Sequence, residues 1–358
     1  YNLAKKISKK NEIIFVCNSM NIKILKDEFI GSSFVLQKKQ NGTADAIISV
    51  KKIVSNDNIL ILFGDVPLVS FQSIKKLIKN FYKNNSIGSI IAFNSQKPHG
   101  YGRIKTDKNI ITSVIEEVNA SAIEKKINLC NSGVIICNSK MLFSQINNIT
   151  NKNKKKEKYL PDIFKIFYNL DMGFNFIIGN ETEMLGVNTV EDLINIDLIY
   201  QKKLIENFIK KGVIIYQPGT IRVSYDTKIG KGSIIEPFVF IKNGVTIKEN
   251  VIIKSSSVIE GCNINSNSSI GPSARIRAKT IVGKNVKIGN FVEVKNSKID
   301  NDCSISHLSY IGDSTLGKRI NIGAGTITCN YDGIKKSKTK IKDKVFIGSN
   351  SSLVAPVT

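Results

Sequence analysis

The chain has 358 residues with 52 lysines and arginines against 29 aspartates and glutamates, a formal net charge of +23. No apolar run reaches the length of about 18 residues that spans a bilayer, so no transmembrane segment is expected. The charge would suit nucleic acid, but only five of the basic residues are arginine, which makes the paired contacts that read bases, so a nucleic-acid partner is not predicted.

Length and cysteine spacing bound the organisation of the chain. A chain of this length is too long for one ordinary core, so we expect two domains. The six cysteines have no C-x-x-C spacing, which favours reduced thiols and a cytoplasmic location. The first residue is Tyr1 rather than methionine, from which we expect a fragment of a longer protein.

The first half alternates between strand and helix patterns, which is typical of an α/β domain. A continuous apolar run at 58–63 ends at Gly64 and Asp65 and predicts a buried parallel strand. Thr43 and Ser70 are candidate helix N-caps. The other predicted strands lie at 12–17, 33–37, 87–93, 111–115, 133–137, 174–178 and 184–187, and the predicted helices run over 43–54, 70–83 and 160–170, with a short one after Asn119.

The longest helical pattern begins at Thr189, where Asp192 completes a capping box, and its apolar residues keep helical spacing to Lys211. At 1.5 Å per residue this helix is roughly 35 Å long and would act as a rigid spacer. The sequence therefore predicts a first domain at 1–190, a linker helix at 191–211 and a second domain at 212–358.

From about residue 221 onward, aliphatic residues recur every six positions, with one-residue slips before Ile264, Ile299 and Leu316 and an interruption before Ile341. This period matches neither an α-helix nor a simple strand. It predicts a parallel β-helix, in which each side of a triangular coil points one aliphatic side chain inward. At about 18 residues a coil, this half forms roughly seven coils. Glycine often follows the aliphatic residue, and we expect it there because the backbone turns a corner. The repeating positions are Ile229, Ile235, Ile241, Ile247, Ile253, Ile259, Ile264, Ile270, Ile276, Val282, Ile288, Val294, Ile299, Ile305, Ile311, Leu316, Ile322, Ile341, Ile347 and Leu353.

Two features of the first half are candidates for chemistry. Asp65 follows a predicted buried strand, at the edge where open α/β sheets bind ligands, and a carboxylate there would suit a Mg²⁺ that bridges phosphates; a turn cap is the alternative. The glycine-rich turn at 100–103 would let backbone approach a ligand or would form a tight hairpin. Asn188 would be an oxygen ligand or a residue that only flanks the long helix.

The repeating half carries candidates of its own. Arg277 and Lys295 are 18 residues apart, one coil, so they should stack on one edge and form an anion site, unless they are only exposed charges. His307 lies in the same coil as Tyr310, where a neutral imidazole could act as a general base, although a lone histidine is more often structural. The repeat is interrupted at 329–340, and such a loop usually marks the binding edge of a solenoid.

Several segments resemble one family. They are FGDVPL (63–68), GYGRI (100–104), EMLGVN (183–188), GNFVEVKNS (289–297), SHLSYIGD (306–313), NIGAGTITCNYDG (321–333) and VFIGSNSSLVAP (345–356). Over nearly the whole chain they are similar to the bacterial bifunctional N-acetylglucosamine-1-phosphate uridylyltransferase/glucosamine-1-phosphate acetyltransferases. The resemblance implies a Rossmann-like α/β nucleotidyltransferase domain, a long linker helix and a left-handed parallel β-helix of hexapeptide repeats that forms a homotrimer with acetyl-transfer sites between subunits.

The resemblance also implies two reactions. The coil domain would transfer acetyl from acetyl-CoA to the amine of glucosamine 1-phosphate. The α/β domain would then join N-acetylglucosamine 1-phosphate to UTP, releasing pyrophosphate and UDP-N-acetylglucosamine, which feeds peptidoglycan and lipopolysaccharide synthesis.

Site residues follow from the same resemblance by matching motifs. The uridine–sugar pocket would be lined by Gln37, Gly42, Thr43, Phe63, Gly64, Asp65, Gly102, Glu116, Asn131 and Asn188, of which Asp65 and Asn188 would hold Mg²⁺. His307 would be the base that deprotonates the sugar amine. The sugar phosphate would be held by Arg277, Lys295, Tyr310 and Asn321, and acetyl-CoA would contact Ala324, Asn330, Tyr331 and Ser349.

The sequence also departs from the family pattern. The glycine-rich phosphate loop that opens the family, and its last coils, are not among the 358 residues. Asp45, Ala278 and Pro161 stand where the family usually has His, Pro and Thr. The alternatives are a catalytically inactive β-solenoid trimerisation scaffold and a nucleotidylyltransferase with a decorative solenoid. A pure scaffold would have no reason to place His307, Arg277 and Lys295 together.

Overall fold

The computed structural model describes residues 1–84 and 86–358, which form two compact units, Tyr1–Ile196 and Asp197–Thr358. The first unit is an α/β domain. Its elements are β1 (Ile14–Cys17), α1 (Ile22–Glu28), β2 (Ser33–Leu36), α2 (Thr43–Val50), β3 (Asn58–Ile61), α3 (Phe71–Lys83), β4 (Gly88–Asn94), β5 (Arg103–Asp107), β6 (Ile110–Ile115), β7 (Leu129–Asn138), α4 (Ser139–Gln145), α5 (Asp162–Tyr168) and β8 (Phe174–Ile178).

A six-stranded mixed sheet forms the centre of the first unit, in the order β3-β7-β4-β8-β6-β5. Only β4 and β8 pair in parallel; β3, β4 and β5 each pair antiparallel with β7. The β4 strand is buried along almost its whole length, and α3 packs against it through Ile74, Leu77 and Phe81. A separate two-stranded parallel sheet joins β1 to β2.

The structure corrects several predictions for this unit. The run at 58–63 forms β3, which is antiparallel to its partner and only partly buried, because it lies at an edge of the sheet. No strand forms at 184–187, and the glycine-rich turn leads into the antiparallel pair β5–β6. Ser70 caps α3 as predicted, with its hydroxyl accepting from the Ser73 N–H at 3.1 Å. Thr43 is not a cap, since the N-cap residue of α2 is Gly42.

The long helix α6 (Val190–Lys210) begins as the sequence predicts. The Asp192 carboxylate accepts from the Thr189 N–H at 2.9 Å, and the Thr189 hydroxyl accepts from the Asp192 N–H at 3.1 Å. These two bonds form the capping box. Within the second unit, Gln201 of this helix exchanges two hydrogen bonds of 3.0 Å with the backbone of Val223, so its amide pairs with a first-coil strand.

The second unit is a parallel β-helix of short strands. They are β9 (Ile214–Ile215), β10 (Arg222–Val223), β11 (Lys228–Ile229), β12 (Ile234–Ile235), β13 (Phe240–Ile241), β14 (Thr246–Ile247), β15 (Ile252–Ile253), β16 (Val258–Ile259), β17 (Asn263–Ile264), β18 (Ser269–Ile270), β19 (Arg275–Ile276), β20 (Ile281–Val282), β21 (Lys287–Asn290), β22 (Glu293–Lys295), β23 (Lys298–Ile299), β24 (Ser304–His307), β25 (Tyr310–Gly312), β26 (Ser314–Leu316), β27 (Asn321–Ile322), β28 (Ile327–Cys329), β29 (Thr339–Ile341), β30 (Phe346–Ile347) and β31 (Ser352–Val354). Every third strand pairs in parallel, which makes three sheets named here by their first strands: the β9 sheet, the β10 sheet and the β11 sheet.

The six-residue period is confirmed, because its residues fill the interior of the coil. Ile235, Ile253, Ile270 and Ile305 are 0% exposed, and the whole series except the partly buried Ile347 and Leu353 belongs to one core. Full burial of such a side chain stabilises the fold by about 1.5–3 kcal/mol. The coil therefore holds itself together through one aliphatic residue on each side.

The prediction that glycine follows the aliphatic residues because the backbone turns a corner there is wrong. Of the glycines that follow an aliphatic residue, only Gly271 has a positive φ. A Cβ at Gly289 would lie 1.9 Å from the carbonyl oxygen of Ser306, and one at Gly323 would lie 2.5 Å from the nitrogen of Ser349. These glycines are needed because the next coil packs directly on their backbone.

Among the described residues, no helix is both long and apolar enough to cross a membrane.

Candidate active sites

The loop between β2 and α2 brings three predicted pocket residues together. The Gln37 side-chain NH₂ donates to the Gly42 carbonyl and to the Asp45 carboxylate, both at 3.2 Å. Since both neighbours are acceptors, the amide oxygen of Gln37 must point away from them and remains free to accept from a ligand. Gly42 has a φ of +111°, and the Thr43 hydroxyl accepts from the Leu160 N–H at 2.9 Å.

A second group of predicted residues surrounds the glycine-rich turn. The Asn131 N–H donates to the Gly102 carbonyl at 2.9 Å, and a Cβ on Gly102 would lie 3.4 Å from the Glu116 carboxylate. The Phe63 ring packs on the backbone of Gly133, where a Cβ would lie 2.7 Å from it. The structure therefore places these four predicted residues on neighbouring strands and loops of one sheet.

The Glu116 carboxyl connects the two groups. Burial, then the nearby charge of Asp162, raises its pKa above the usual value, and Lys155 acts in the opposite direction. Asp162 begins α5, directly after the segment at 158–160 that contacts Gly42 and Thr43. These surroundings disfavour the charged carboxylate, so the Glu116 carboxyl is stabilised either by taking up a proton or by accepting a hydrogen bond from a ligand.

Asp65 and Asn188 lie on adjacent loops. The Val187 N–H donates to the Asp65 carbonyl at 2.8 Å, and the Gly186 N–H donates to the Tyr101 hydroxyl at 3.4 Å. Both predicted metal ligands are exposed, and neither side chain has a hydrogen-bond partner among the described residues. The same part of the chain contains no cluster of three or more His, Cys, Asp or Glu side chains that could hold a metal. One carboxylate and one amide oxygen fit Mg²⁺, which takes few protein ligands when substrate phosphates supply the rest.

Arg103, which the sequence analysis passed over, anchors the glycine-rich turn. Its side chain is 2% exposed, and its guanidinium donates to the Glu117 carboxylate at 2.5 Å and to the Tyr101 carbonyl. A buried charge needs such partners. The pair fixes the backbone on both sides of Gly102 and the residue next to Glu116.

In the second unit, the register confirms that Arg277 stacks on Lys295. The Arg277 N–H donates to the Val294 carbonyl at 2.8 Å, one coil away, and Tyr310 lies opposite Glu293 in the next coil. The Arg277 guanidinium bonds the Glu293 carboxylate at 2.8 Å, which raises the pKa of Arg277. The β10 sheet thus carries a cluster of Arg277, Lys295, the Glu293 carboxylate and the Tyr310 phenol, and the more exposed Arg275 also lies 3.7 Å from Glu293.

A further cation joins this cluster from the loop that interrupts the repeat. Lys336, and then Arg277, lowers the pKa of Lys295. The ammonium groups of Lys295 and Lys336 repel each other, and a bound anion between them would relieve this repulsion. Lys336 was not predicted, because its position depends on how a loop folds back onto the coil and no periodicity reports that.

His307 lies at the end of β24, on the β9 sheet, and its imidazole is exposed. Its Nδ1 is 2.7 Å from the amide oxygen of Asn290, its partner in the ladder of the preceding coil. An amide oxygen only accepts, so in the neutral imidazole Nδ1 carries the hydrogen and Nε2 carries the lone pair. A two-residue turn, Leu308 and Ser309, separates His307 from Tyr310 on the β10 sheet.

The structure separates one predicted residue from the others. Asn321 lies in β27, paired with Ser304 and Phe346 on the β9 sheet, whereas Arg277 and Lys295 belong to the β10 sheet side of the coil. A single chain therefore does not bring Asn321 to the cation cluster, although it does place Asn321 on the same sheet as His307.

The predicted acetyl-CoA residues fall into two groups. Ala324 and Ser349 stack in adjacent coils, where the Ala324 carbonyl accepts from Asn350 at 2.7 Å and Ser349 is exposed. Tyr331 is also exposed. Asn330 is buried, and its side-chain amide donates to the Asp313 carboxylate. Its side chain is thus engaged within the protein.

This chain is similar to known proteins both in its family profiles and in individual relatives. A nucleotidyl transferase profile matches residues 2–182, a bacterial transferase hexapeptide (six repeats) profile matches 226–261, and a GMPPB C-terminal domain profile matches 262–357. The bifunctional protein GlmU of Zymomonas mobilis is 40% identical over 337 residues, which is 93% of this chain and 75% of the relative. This chain belongs to the GlmU family.

Other members of the GlmU family show the same extent of similarity. The Thermosipho melanesiensis protein is 42% identical over 346 residues, covering 90% of this chain and 74% of the relative, and that of Buchnera aphidicola is 39% identical over 371 residues, covering 98% and 80%. Among solved structures, a putative glucose-1-phosphate thymidylyltransferase from Bacillus anthracis covers 50% of this chain and 72% of its own at 16% identity and a TM-score of 0.39, too low to indicate a shared fold.

Membership in the GlmU family confirms the fold and the enzyme class predicted from sequence. The protein is a bifunctional transferase in which a nucleotidyltransferase domain precedes a left-handed β-helix of hexapeptide repeats. Its substrates are small molecules, a nucleotide and acetyl-CoA among them.

Proposed function

We propose that this protein acetylates glucosamine 1-phosphate with acetyl-CoA in its β-helix and joins N-acetylglucosamine 1-phosphate to UTP in its α/β unit. The observation that carries the first reaction is the contact of 2.7 Å between His307 and Asn290. It leaves Nε2 of an exposed imidazole with a free lone pair, as a general base requires.

The acetyl transfer follows from the chemistry of these groups. Nε2 of His307 takes a proton from the sugar amine as the nitrogen attacks the thioester carbonyl. A C–N bond forms, the C–S bond breaks, and CoA leaves as the thiolate. Arg277, Lys295, Tyr310 and the newly found Lys336 hold the sugar phosphate, since together they supply cations and a hydroxyl donor on one face.

The placement of the residues on two sheets supports a homotrimer with sites between subunits. His307 and Asn321 belong to the β9 sheet, and the phosphate-binding cluster belongs to the β10 sheet. A site assembled from the β9 sheet of one copy and the β10 sheet of another would contain both sets. Sedimentation equilibrium of the purified protein should give three times the chain mass; a monomer with full acetyl transfer would contradict the shared site.

For uridylyl transfer, the free amide oxygen of Gln37 and the backbone at Gly42 and Gly102 bind the nucleotide and sugar, and Glu116 and Asn131 supply polar contacts to the sugar. Asp65 and Asn188 hold Mg²⁺. When bound, the cation supplies charge that neutralises the phosphates of the substrate. We place the uridylyltransferase domain at 1–190, the linker helix at 191–211 and the acetyltransferase domain at 212–358. We also propose a cytoplasmic location, in keeping with the free cysteines among the described residues.

The decisive experiment is a separation of the two activities in the intact protein. His307→Ala should abolish acetyl transfer and leave uridylyl transfer unchanged, because a general base contributes about 10²- to 10⁴-fold to one reaction only. His99→Ala, which removes the second of the two histidines, is the matched control and should keep both activities. Equal loss of both activities in His307→Ala, or of neither, would show that the assignment is wrong.

A further inference from the structure

The corner that precedes the interrupting loop is occupied by a buried aspartate. Corners between the β10 and β11 sheets have a positive φ, and in successive coils they are occupied by Gly261, Lys279, Asn296 and Asp313. Asn and Asp tolerate this conformation better than most residues. Asp313, however, is only 8% exposed, which is unusual for a carboxylate and requires partners.

The partners of Asp313 are two amides from different coils. The side chain of Asn296, in the preceding coil, donates to one carboxylate oxygen at 2.5 Å. The side chain of Asn330, at the base of the loop, donates to the other oxygen. Hydrogen bonds to a charged acceptor are about twice as strong as neutral ones. The carboxylate therefore fastens the base of the loop to the coil beneath it.

The loop beyond Asn330 is closed on itself. The Asn330 carbonyl accepts from the Ser337 N–H at 2.9 Å, and Tyr331 and Lys336 form an antiparallel bridge. At the tip, the Asp332 carboxylate accepts from two backbone N–H groups at 2.8 and 2.9 Å. We call residues 330–337 the hairpin. Its own hydrogen bonds hold its tip, so its placement on the coil depends on its base.

Lys336 connects the hairpin to the cation cluster. The Asp313 N–H donates to the Lys295 carbonyl at 3.0 Å, and Asn330 bonds the Asp313 carboxylate, so the base of the hairpin lies against Lys295. Lys336, which bridges to Tyr331 next to that base, also lowers the pKa of Lys295. The tip offers little else to hold the hairpin in place, as Ile334 is 92% exposed and Tyr331 is 59% exposed. The position of Lys336 beside Lys295 therefore depends on the base of the hairpin.

We infer that Asp313 is a positioning residue for acetyl transfer: by clamping Asn330 it fixes the hairpin so that Lys336 faces the sugar phosphate. The inference rests on the proposed function, because it assigns Asp313 to the binding of that substrate. Both carboxylate oxygens of Asp313 are already bonded within the protein, to Asn296 and Asn330. Its loss should raise the KM for glucosamine 1-phosphate and leave kcat nearly unchanged, because the base at His307 lies on another sheet.

The test uses exchanged hydrogen-bond partners in the intact protein. Asp313→Asn leaves one neutral oxygen to accept from the NH₂ groups of both Asn296 and Asn330, so the KM for glucosamine 1-phosphate should rise roughly tenfold, the equivalent of one lost charged hydrogen bond. The double variant Asp313→Asn/Asn330→Asp restores a donor opposite a carboxylate and should recover most of the wild-type KM. Failure of the double variant to recover would overturn the clamp.

Lys336→Ala shows whether Asp313 acts through the lysine. On that background Asp313→Asn should add little to the KM, because the group it positions is already gone. Additive effects would contradict the inference. The matched control is Asp302→Asn, the same change at a corner aspartate of positive φ whose carboxylate accepts from Asn285 at 2.8 Å but holds no loop. Its kinetics should equal those of the wild type.

Hydrogen exchange separates this inference from the proposed function. The backbone amides of the hairpin should exchange faster in Asp313→Asn than in the wild type, whatever the protein acetylates. Faster exchange with an unchanged KM would refute the link to Lys336, and unchanged exchange would refute the clamp. If the wild-type protein does not acetylate glucosamine 1-phosphate, the proposed function fails, while the exchange result still decides the clamp.

Discussion

The contact between His307 and Asn290 gives a quantitative prediction for acetyl transfer. Asn290→Leu removes the acceptor for the Nδ1 hydrogen, so the imidazole keeps its base but loses its fixed tautomer and orientation. A net hydrogen bond of about 0.5–1.5 kcal/mol corresponds to a fall in kcat of about 2- to 13-fold. The loss should be far smaller than the roughly 10²- to 10⁴-fold expected for His307→Ala.

The assay is steady-state acetyl transfer, followed by thiol release from acetyl-CoA. Asn290→Asp keeps an acceptor at the same position and should retain most of the kcat. Both variants should keep the wild-type KM values, because Asn290 acts on the base and not on a substrate. Asn263→Ala changes an exposed asparagine on the β11 sheet and is the matched control. Full kcat in Asn290→Leu, or equal losses in the Leu and Asp variants, would refute this account of the tautomer.

Two further predictions concern the nucleotide pocket and the cation cluster. Gly42→Ala places a Cβ 2.4 Å from the Lys158 carbonyl oxygen at a φ of +111°, which costs about 1–3 kcal/mol of strain. The variant should therefore show weaker uridylyl transfer and a lower unfolding temperature, with acetyl transfer unchanged. Uridylyl transfer and an unfolding temperature equal to those of the wild type would contradict the prediction. Lys336 lowers the pKa of Lys295, so folding disfavours the charged ammonium. This cost is complete below the folded-state pKa and is lost as the pH rises from there to the unfolded-state pKa. Lys336→Ala should therefore raise the unfolding temperature at neutral pH and low salt, and it should reduce the stabilisation of the protein by added phosphate. High salt should remove both effects. The control variant Lys338→Ala should show neither effect.

The repeat allowed unusually detailed prediction from sequence, because a solenoid converts spacing in the chain into neighbours in space. Six residues make one side and about eighteen make one coil, so the stacking of Arg277 on Lys295 followed from counting. The placement of His307 in the coil of Tyr310 followed in the same way. The capping box at Thr189 was equally local, since a side chain and a backbone N–H three residues apart decide it.

Other features, in the α/β unit, could not be predicted from spacing along the sequence. The α/β unit places residues far apart in sequence on one sheet, and sequence alone predicted β3 as a parallel strand when its partner is the antiparallel β7. The orientation of the Gln37 amide depends on Asp45, which lies eight residues away on the following helix. Both are outcomes of tertiary packing, for which the hydrophobic pattern of a single strand carries no information.

The sequence by itself determined the β-helix, its register, the capping of the long helix and the family, because each rests on local spacing or on short segments read directly from the chain. Only the tertiary structure decided why glycine is needed at Gly289, how Asp313 holds the hairpin, and that Lys336 joins the cation cluster. These depend on the distance between one coil and the next. A period in sequence records which residues stack, and the folded chain fixes how closely they approach.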